Sequence, residues 1–289
     1  MATPTSVEAL SPGDHACLTF SDPDERLDIV AAFALDGLSR ANKVMCFTES
    51  IPPDQLTAEL IERGVPAADA RPGGQLEIYN SAESWLADGE ITADKMIKLL
   101  ARHLDRADRE GYQGLRVTAD MSWVTRPTGA ADQLPIFESE VGKLFADRRL
   151  TAICQYDREI FDAVTLTLAA GAHSLAVAAA VYYEDPVLRI CRQHAPPGIR
   201  LAGEIDFTHI EELTVALSET LRLDKNPQVN LSKLRFMDAA CATAVAHAAL
   251  SLPEPRVMTV PCGGPVLRVL ELTGATDIPS LRVSRIHAE

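Results

Sequence analysis

With 289 residues, 47% of them apolar, the chain is long enough for one large or two medium domains, each with its own core, and it is not a disordered tail. Its 27 basic residues against 41 acidic ones leave a formal charge of −14, which repels phosphate backbones and anionic lipid, so neither direct nucleic-acid binding nor a membrane-surface role is expected. Nine basic and eleven acidic residues lie from Pro196 onward, so most of the acidic excess sits before it, a first hint of two units.

The opening MATPTSVEALSPGDH has neither the basic leader nor the apolar core of a secretory signal, and the expectation is a mature start at Met1 and a cytoplasmic protein. Six cysteines, Cys17, Cys46, Cys154, Cys191, Cys241 and Cys262, stand far apart with no CxxC pair, several inside apolar runs, the pattern of reduced buried thiols. Residues 163–183 carry no charge over nearly a bilayer's thickness, but Thr165, Thr167, His173 and Ser174 interrupt them. The reading there is a helix to Ala170, a turn at Gly171 and a buried strand, not a membrane span.

In chain order the sequence alternates short apolar runs with amphipathic ones. HACLTF reads as a strand, 23–40 as a helix, KVMCFTE as a strand, 53–63 as a helix and QLEIYN as a strand. A helix over 92–111, the strand GLRVTADMSW, a helix over 136–147 and the strand TAICQYD follow. Ser21 and Asp22 before Pro23, and Thr92 before its apolar period, supply helix starts. Apolar strands separated by helices predict a mostly parallel sheet with helices on both faces. At residues 192–198 the segment RQHAPPG breaks both periodicities, and the domain boundary is placed there, giving domains over 1–190 and 191–289. Beyond it IRLAGEID reads as a strand, 208–223 as a helix, QVNLSKL as a strand, Asp238 as the cap of an alanine-rich helix to Leu250, RVMTVPC as a strand and 265–272 as a helix, a small α/β unit.

Residues at the carboxyl ends of parallel strands face the crevice of such sheets, which nominates Glu49, Asp120, Trp123, Tyr156 and Asp157 as ligand contacts. Trp123 would give an apolar wall, Tyr156 and Asp157 a hydroxyl and a charge. HACLTF, FALDGLSRANKVMCF, GYQGLRVTADMSW, IFESE, and TAICQYD with the later His173, in that order, resemble the MEDS domain, the sensory domain of DcmR-type regulators, over residues 14–186. The resemblance implies a small-molecule sensor related to the RecA and KaiC-like ATPases, and it adds His15, Cys154 and His173 to the ligand residues. Asp120 and Ser174 depart from the family's usual glutamate and proline. The phosphate loop of the ATPases is missing: the equivalent stretch reads SDPDERLDIV, with Asp22, Asp24 and Glu25 where a triphosphate would need lysine and glycine. A metal site needs three or four convergent ligands, and the spacing shows no such cluster, so neither metal nor other cofactor is expected.

The second domain resembles STAS domains, the fold of anti-sigma factor antagonists, through GEID at 203–206, VNLSKLRFMDAACATAV from Val229, and VLRVLELTGATD. The resemblance implies a partner surface at Asp206, Ser232, Asp238, Ala239 and Ala240, and an anti-sigma factor or switch kinase as partner. Ala239 stands where that family carries its phosphate-accepting hydroxyl, and alanine cannot accept one. Asn230 likewise replaces a usual aspartate, while Ser232 reads as part of a strand-end turn and Thr243 as part of the helix body. The reading is a non-enzymatic cytosolic regulator, as a monomer or a homo-oligomer, in which the first domain senses a small molecule and the second binds the partner. The rivals are a residual nucleotide-binding enzyme acting through Glu49 or Asp120, and a structural subunit of a signalling assembly.

Overall fold

The computed structural model describes residues 3–84, 92–126 and 130–286. The expectation about Met1 lies outside them. The chain divides into two compact units, Met1–Ala178 and Ala179–Glu289.

In the first unit the strands are β1 (Thr3–Thr5), β2 (His15–Phe20), β3 (Lys43–Thr48), β4 (Leu76–Asn80), β5 (Leu115–Asp120), β6 (Leu150–Asp157) and β7 (Leu175–Val177). They form one sheet in the order β1-β7-β2-β6-β5-β3-β4, and every neighbouring pair is parallel. Between them run α1 (Pro23–Ser39), α2 (Pro53–Glu62), α3 (Ala67–Ala70), α4 (Ala93–Arg109), α5 (Leu134–Val141) and α6 (Ala163–Ala172). The helix starts lie where the sequence puts them: the Asp22 carboxylate accepts from the Asp24 amide at 2.9 Å, and Thr92 Oγ1 from the Lys95 amide at 3.3 Å.

Helices cover both faces of this sheet, as expected. On one face Ile29 and Phe33 of α1 pack on Ala16, Leu18 and Phe20 of β2 and Ile153 of β6. On the other Met96, Leu100 and Leu104 of α4 and Phe137 and Val141 of α5 pack on Cys17, Val117, Ala152, Cys154 and Tyr156. The period of two along each strand makes this division, and it decides below which residues share a site.

The second unit contains β8 (Val181–Glu184), β9 (Leu188–His194), β10 (Pro197–Ile205), β11 (Gln228–Met237), β12 (Met258–Cys262) and β13 (Leu281–Arg285), with α7 (Ile210–Leu223), α8 (Ala239–Leu250) and α9 (Gly264–Leu272). Its sheet runs β13-β12-β11-β10-β9-β8, parallel from β13 to β10 and antiparallel from β10 to β8. The expected boundary at residues 192–198 is therefore corrected. RQH ends β9, Ala195 and Pro196 make the turn and Pro197 opens β10, two strands that pair from His194 with Pro197 through Leu188 with Gly203. Prolines and glycine close a hairpin as readily as they make a linker, and composition does not separate the two. Gly203 takes φ 106°, and a Cβ there would collide with the Val187 carbonyl, which ties this glycine to the end of the hairpin.

Two smaller differences concern single elements. Gly171 lies inside α6 and not in a turn, and Ser232 lies inside β11, at a break in its register with β10, and not at a strand end. No helix among the described residues is long and apolar enough to cross a membrane. All six cysteines are free and buried.

Candidate functional site

Strand parity splits the expected ligand residues into two groups. His15, the first residue of β2, and Cys154 and Tyr156 of β6 project to the α4/α5 face, where His173 follows α6 and Trp123 follows β5. There an enclosed cavity of about 20 Å³ lies between His15, Met96, Leu100, Trp123, Phe137, Phe145 and Cys154. That volume holds about one water-sized body, and its walls are apolar except at the His15 and Cys154 end.

At this end five polar side chains converge. His15 Nε2 lies 3.4 Å from Cys154 Sγ and 3.8 Å from Glu138 Oε2, and His173 Nε2 lies 3.6 Å from the same carboxylate oxygen. Tyr156 donates its hydroxyl to Glu138 Oε1 at 2.7 Å. The Nδ1 of His173 sits 2.7 Å from the Ala169 carbonyl, which can only accept, so that nitrogen carries a proton and Nε2 is turned to Glu138. The His15 ring stacks on Phe145, with centroids 4.5 Å apart.

Burial dominates the electrostatics here. It pushes the Cys154 thiol and the Tyr156 phenol well above their ordinary ranges, each raised further by the Glu138 carboxylate, and it lowers His15, helped by His173. It also raises Glu138, against the opposing effects of His173 and the Tyr156 hydroxyl. The expectation that no ligand-type side chains converge is thereby overturned, since His15, Glu138, Cys154 and His173 bring one ligand atom each to within 4.8 Å of one another. Glu138 was not among the nominated residues. Its signal lies in the helical period: Leu134, Phe137, Glu138 and Val141 all point inward from α5, so a carboxylate occupies an apolar-face position.

Asp120 belongs to the opposite face. Its carboxylate pairs with Arg26 at 3.0 Å and accepts from the Ser50 amide and hydroxyl at 2.9 and 2.6 Å and from the Ser122 amide at 3.0 Å. Arg26 also reaches Ser50 Oγ and Gln155 Oε1, and Gln155 donates to Thr118 at 2.6 Å. This is a satisfied buried network, so Asp120 is committed to holding strands and helix together. Burial alone would raise its pKa, but the Arg26 charge and the hydrogen bonds from Ser50 and Ser122 hold it below the usual carboxylate range. Glu49 is paired with Arg126, and Asp157 accepts from the Glu159 amide at 2.9 Å in the turn after β6. The structure brings neither Glu49 nor Asp157 to the cavity.

Only Ser21 and Asp22 join β2 to α1. A phosphate-cradling loop needs about eight residues at such a junction. The helix start that would meet a phosphate carries Asp22, Asp24 and Glu25 instead.

In the second unit Asp206 and Asp238 lie side by side at the ends of β10 and β11. Asp238 caps α8, accepting from the Cys241 amide at 2.9 Å, and its other oxygen accepts from the Phe207 amide at 2.8 Å. Asp206 accepts from the Thr208 amide at 2.9 Å, and Cys241 Sγ lies 3.2 Å from its carbonyl. Ala239 and Ala240 are exposed on the first turn of α8, and Phe207 and Phe236 are exposed nearby at 67% and 51%. Ser232 is separate from this group, since six residues of strand place it about 20 Å from Asp238. Thr243 is tied back to the Ala239 carbonyl at 2.7 Å, in the helix body as expected.

The family model described as MEDS, the methanogen/methylotroph DcmR sensory domain, matches residues 14–174. Two solved structures are similar in fold. A KaiC-like protein from the hyperthermophilic archaeon Pyrococcus horikoshii is 10% identical, covering 64% of this chain and 79% of its own, at a TM-score of 0.45. The flagellar accessory protein FlaH from Methanocaldococcus jannaschii is 12% identical, covering 66% and 84%, at a TM-score of 0.44. No curated protein matches the sequence.

Proposed function

Since the chain belongs to the MEDS family of sensory domains, we propose that it is a signalling regulator whose first unit holds a small ligand and whose second unit passes that state to a protein partner. The observation that carries the reading is the enclosed cavity with apolar walls, Trp123 among them, and a single polar end at His15 and Cys154. Such a site suits a ligand of one or two heavy atoms, its apolar side against Trp123 and Leu100 and its polar group toward His15 and Cys154. It is a binding site and not a catalytic one. Its histidine and carboxylate are enclosed, and the crevice where a nucleotide would lie is occupied by the Arg26–Asp120 network and an acidic helix start.

The partner surface is the start of α8, where exposed Ala239, Ala240, Phe207 and Phe236 surround the paired Asp206 and Asp238. The resemblance of this unit's sequence to STAS domains favours an anti-sigma factor or switch kinase as the partner. Exposed aromatics beside small residues are the composition of a docking surface. Ala239 removes the hydroxyl through which a kinase would release that partner.

The test has two arms. Titration of the protein with straight-chain alcohols from methanol to butanol should give saturable binding of methanol and none of butanol, and Trp123→Ala, which enlarges the cavity, should admit the longer members. Flat, nonsaturable heats across the series would remove the ligand site. In the second arm, binding to the anti-sigma factor of the same cell is measured by analytical ultracentrifugation. Ala240→Glu should abolish it without altering the fold, and unchanged binding would move the surface elsewhere.

A further inference from the structure

We propose that His15, Glu138, Cys154 and His173 form a binding site for a divalent transition metal of the zinc type. The inference adds to the sensory reading at the same cavity, and it is tested by metal uptake alone, so either can fail without the other.

Two imidazoles, a thiol and a carboxylate are the N, S and O set that tetrahedral zinc takes, whereas magnesium and calcium take oxygen throughout. A tetrahedral ion with bonds of about 2.0–2.3 Å holds its donors about 3.3–3.8 Å apart. Three of the pairs here stand at 3.4, 3.6 and 3.8 Å, from separate elements of the fold: β2, α5, β6 and the residue after α6.

Two buried atoms face each other among these donors. Glu138 Oε2 and His173 Nε2 have no hydrogen-bond partner among the described residues, and Glu138 and His173 are exposed by only 7% and 3%. The Ala169 carbonyl holds a proton of His173 on Nδ1, so Nε2 is turned to the Glu138 carboxylate oxygen across 3.6 Å. Two buried polar atoms in that arrangement need a cation or a proton between them. A metal ion satisfies both, and it also draws in His15 and Cys154, which a single proton does not. One thiolate and one carboxylate cancel the charge of a dication, so the filled site is neutral in an apolar surround.

The neighbours fit the same role. Ring nitrogens that bind metal usually donate their second N–H to a carbonyl, as His173 does, and ligating carboxylates are themselves hydrogen-bonded, as Glu138 is by Tyr156. The His15 side chain, 11% exposed, is the edge through which an ion would enter.

The experiment titrates the chelator-stripped full chain with cobalt(II), followed by its visible spectrum, and repeats the titration with zinc against a competing chelator. One ion per chain is expected, with a thiolate-to-cobalt charge-transfer band. Cys154→Ser should lose that band, and Cys191→Ala, in the other unit, should keep it. Glu138→Gln and His173→Gln should weaken binding at least tenfold, and Tyr156→Phe by about 10–100-fold as the loss of a supporting hydrogen bond. Far-ultraviolet circular dichroism establishes that each variant is folded. Folded wild type that takes up neither metal at micromolar concentration would overturn the site and leave a shared proton between Glu138 and His173. Uptake equal in Cys154→Ser and His173→Gln would overturn it too, by placing the ion elsewhere.

Discussion

Gln155 and Tyr156 are consecutive on β6 and serve opposite faces of its sheet. Gln155 accepts from Arg26 and donates to Thr118 on the α1 face, while Tyr156 donates to Glu138 on the α5 face. The pleat thus builds two polar clusters back to back, one fully paired around Asp120 and one with open valences around Glu138. The chemistry of the first unit follows from that separation, because the second cluster adjoins the cavity beside Trp123.

The Asp120 cluster is expected to be structural. Asp120→Asn leaves the Arg26 guanidinium buried without its counter-charge, and removing one partner of a buried pair costs about 3–5 kcal/mol. Urea unfolding at pH 7 should show a loss near the lower end of that range, since Ser50 and Gln155 still bond Arg26. The carboxyl is depressed in the folded state, so its contribution is complete above the unfolded value of about 3.9 and fades as pH falls through the lower folded value. The gap between wild type and Asp120→Asn should therefore narrow below pH of about 4. A gap unchanged in acid, or below about 1 kcal/mol at pH 7, would mean that the pair does not hold the sheet to α1.

How much of this was legible in the sequence depends on which spacing carries the information. The alternation of apolar runs and amphipathic helices gave the parallel sheet directly, and Asp22, Thr92 and Asp238 marked helix starts that the structure keeps. His15, Cys154 and His173 were reachable only through the family resemblance, because residues far apart in the chain meet through a strand order that local pattern does not encode. Asp120 and Glu49 were grouped with them because a strand-end rule ignores parity: one residue along a strand moves a side chain to the other face. Glu138 was readable in principle, as a lone carboxylate on the inward period of α5. The hairpin of β9 and β10 was not, since its prolines and glycine carry the same local signal as a linker.

Limited proteolysis should follow the observed division of the chain. Ala178 and Ala180 are exposed, between the end of β7 and the start of β8, whereas Ala195 is buried and Gly198 lies within the paired strand β10. An unspecific protease such as proteinase K at low dose is expected to cut between Val177 and Val181 and leave two stable fragments, identified by mass spectrometry. First cuts at residues 195–198 would contradict the pairing of β9 with β10.

Nucleotide should not bind. The two-residue junction after β2 has no room for a phosphate loop, and Asp22, Asp24 and Glu25 set negative charge where the helix start would otherwise attract phosphate. Isothermal titration with ATP and magnesium is expected to give no saturable heat. A dissociation constant near 1 μM, or about −8 kcal/mol, would revive the nucleotide-binding enzyme as a reading of the first unit.

Phosphorylation should leave the second unit unlabelled, because its helix start lacks an acceptor at Ala239. Asp238 already caps α8 and is held by the Phe207 amide, with Asp206 beside it. A phosphate on the first turn would add about 1.5–2 negative charges at that edge, which the helix dipole tolerates but an acidic surface presents to a partner as repulsion. The substitution Ala239→Asp mimics part of that charge. It is expected to change stability by less than about 1 kcal/mol, since an acid near a helix start is mildly favourable, and to weaken binding of the proposed anti-sigma partner at least tenfold. The unmodified chain incubated with the cognate kinase and ATP should carry no stoichiometric phosphate by mass spectrometry. Ser232 sits inside β11, and the Thr243 hydroxyl is bonded back to the Ala239 carbonyl, so neither is presented as the acceptor would be. Full labelling of either, with loss of partner binding, would show that the switch has moved along the chain instead of having been lost. If the wild type stays unlabelled and Ala239→Asp still binds normally, the docking surface lies away from α8.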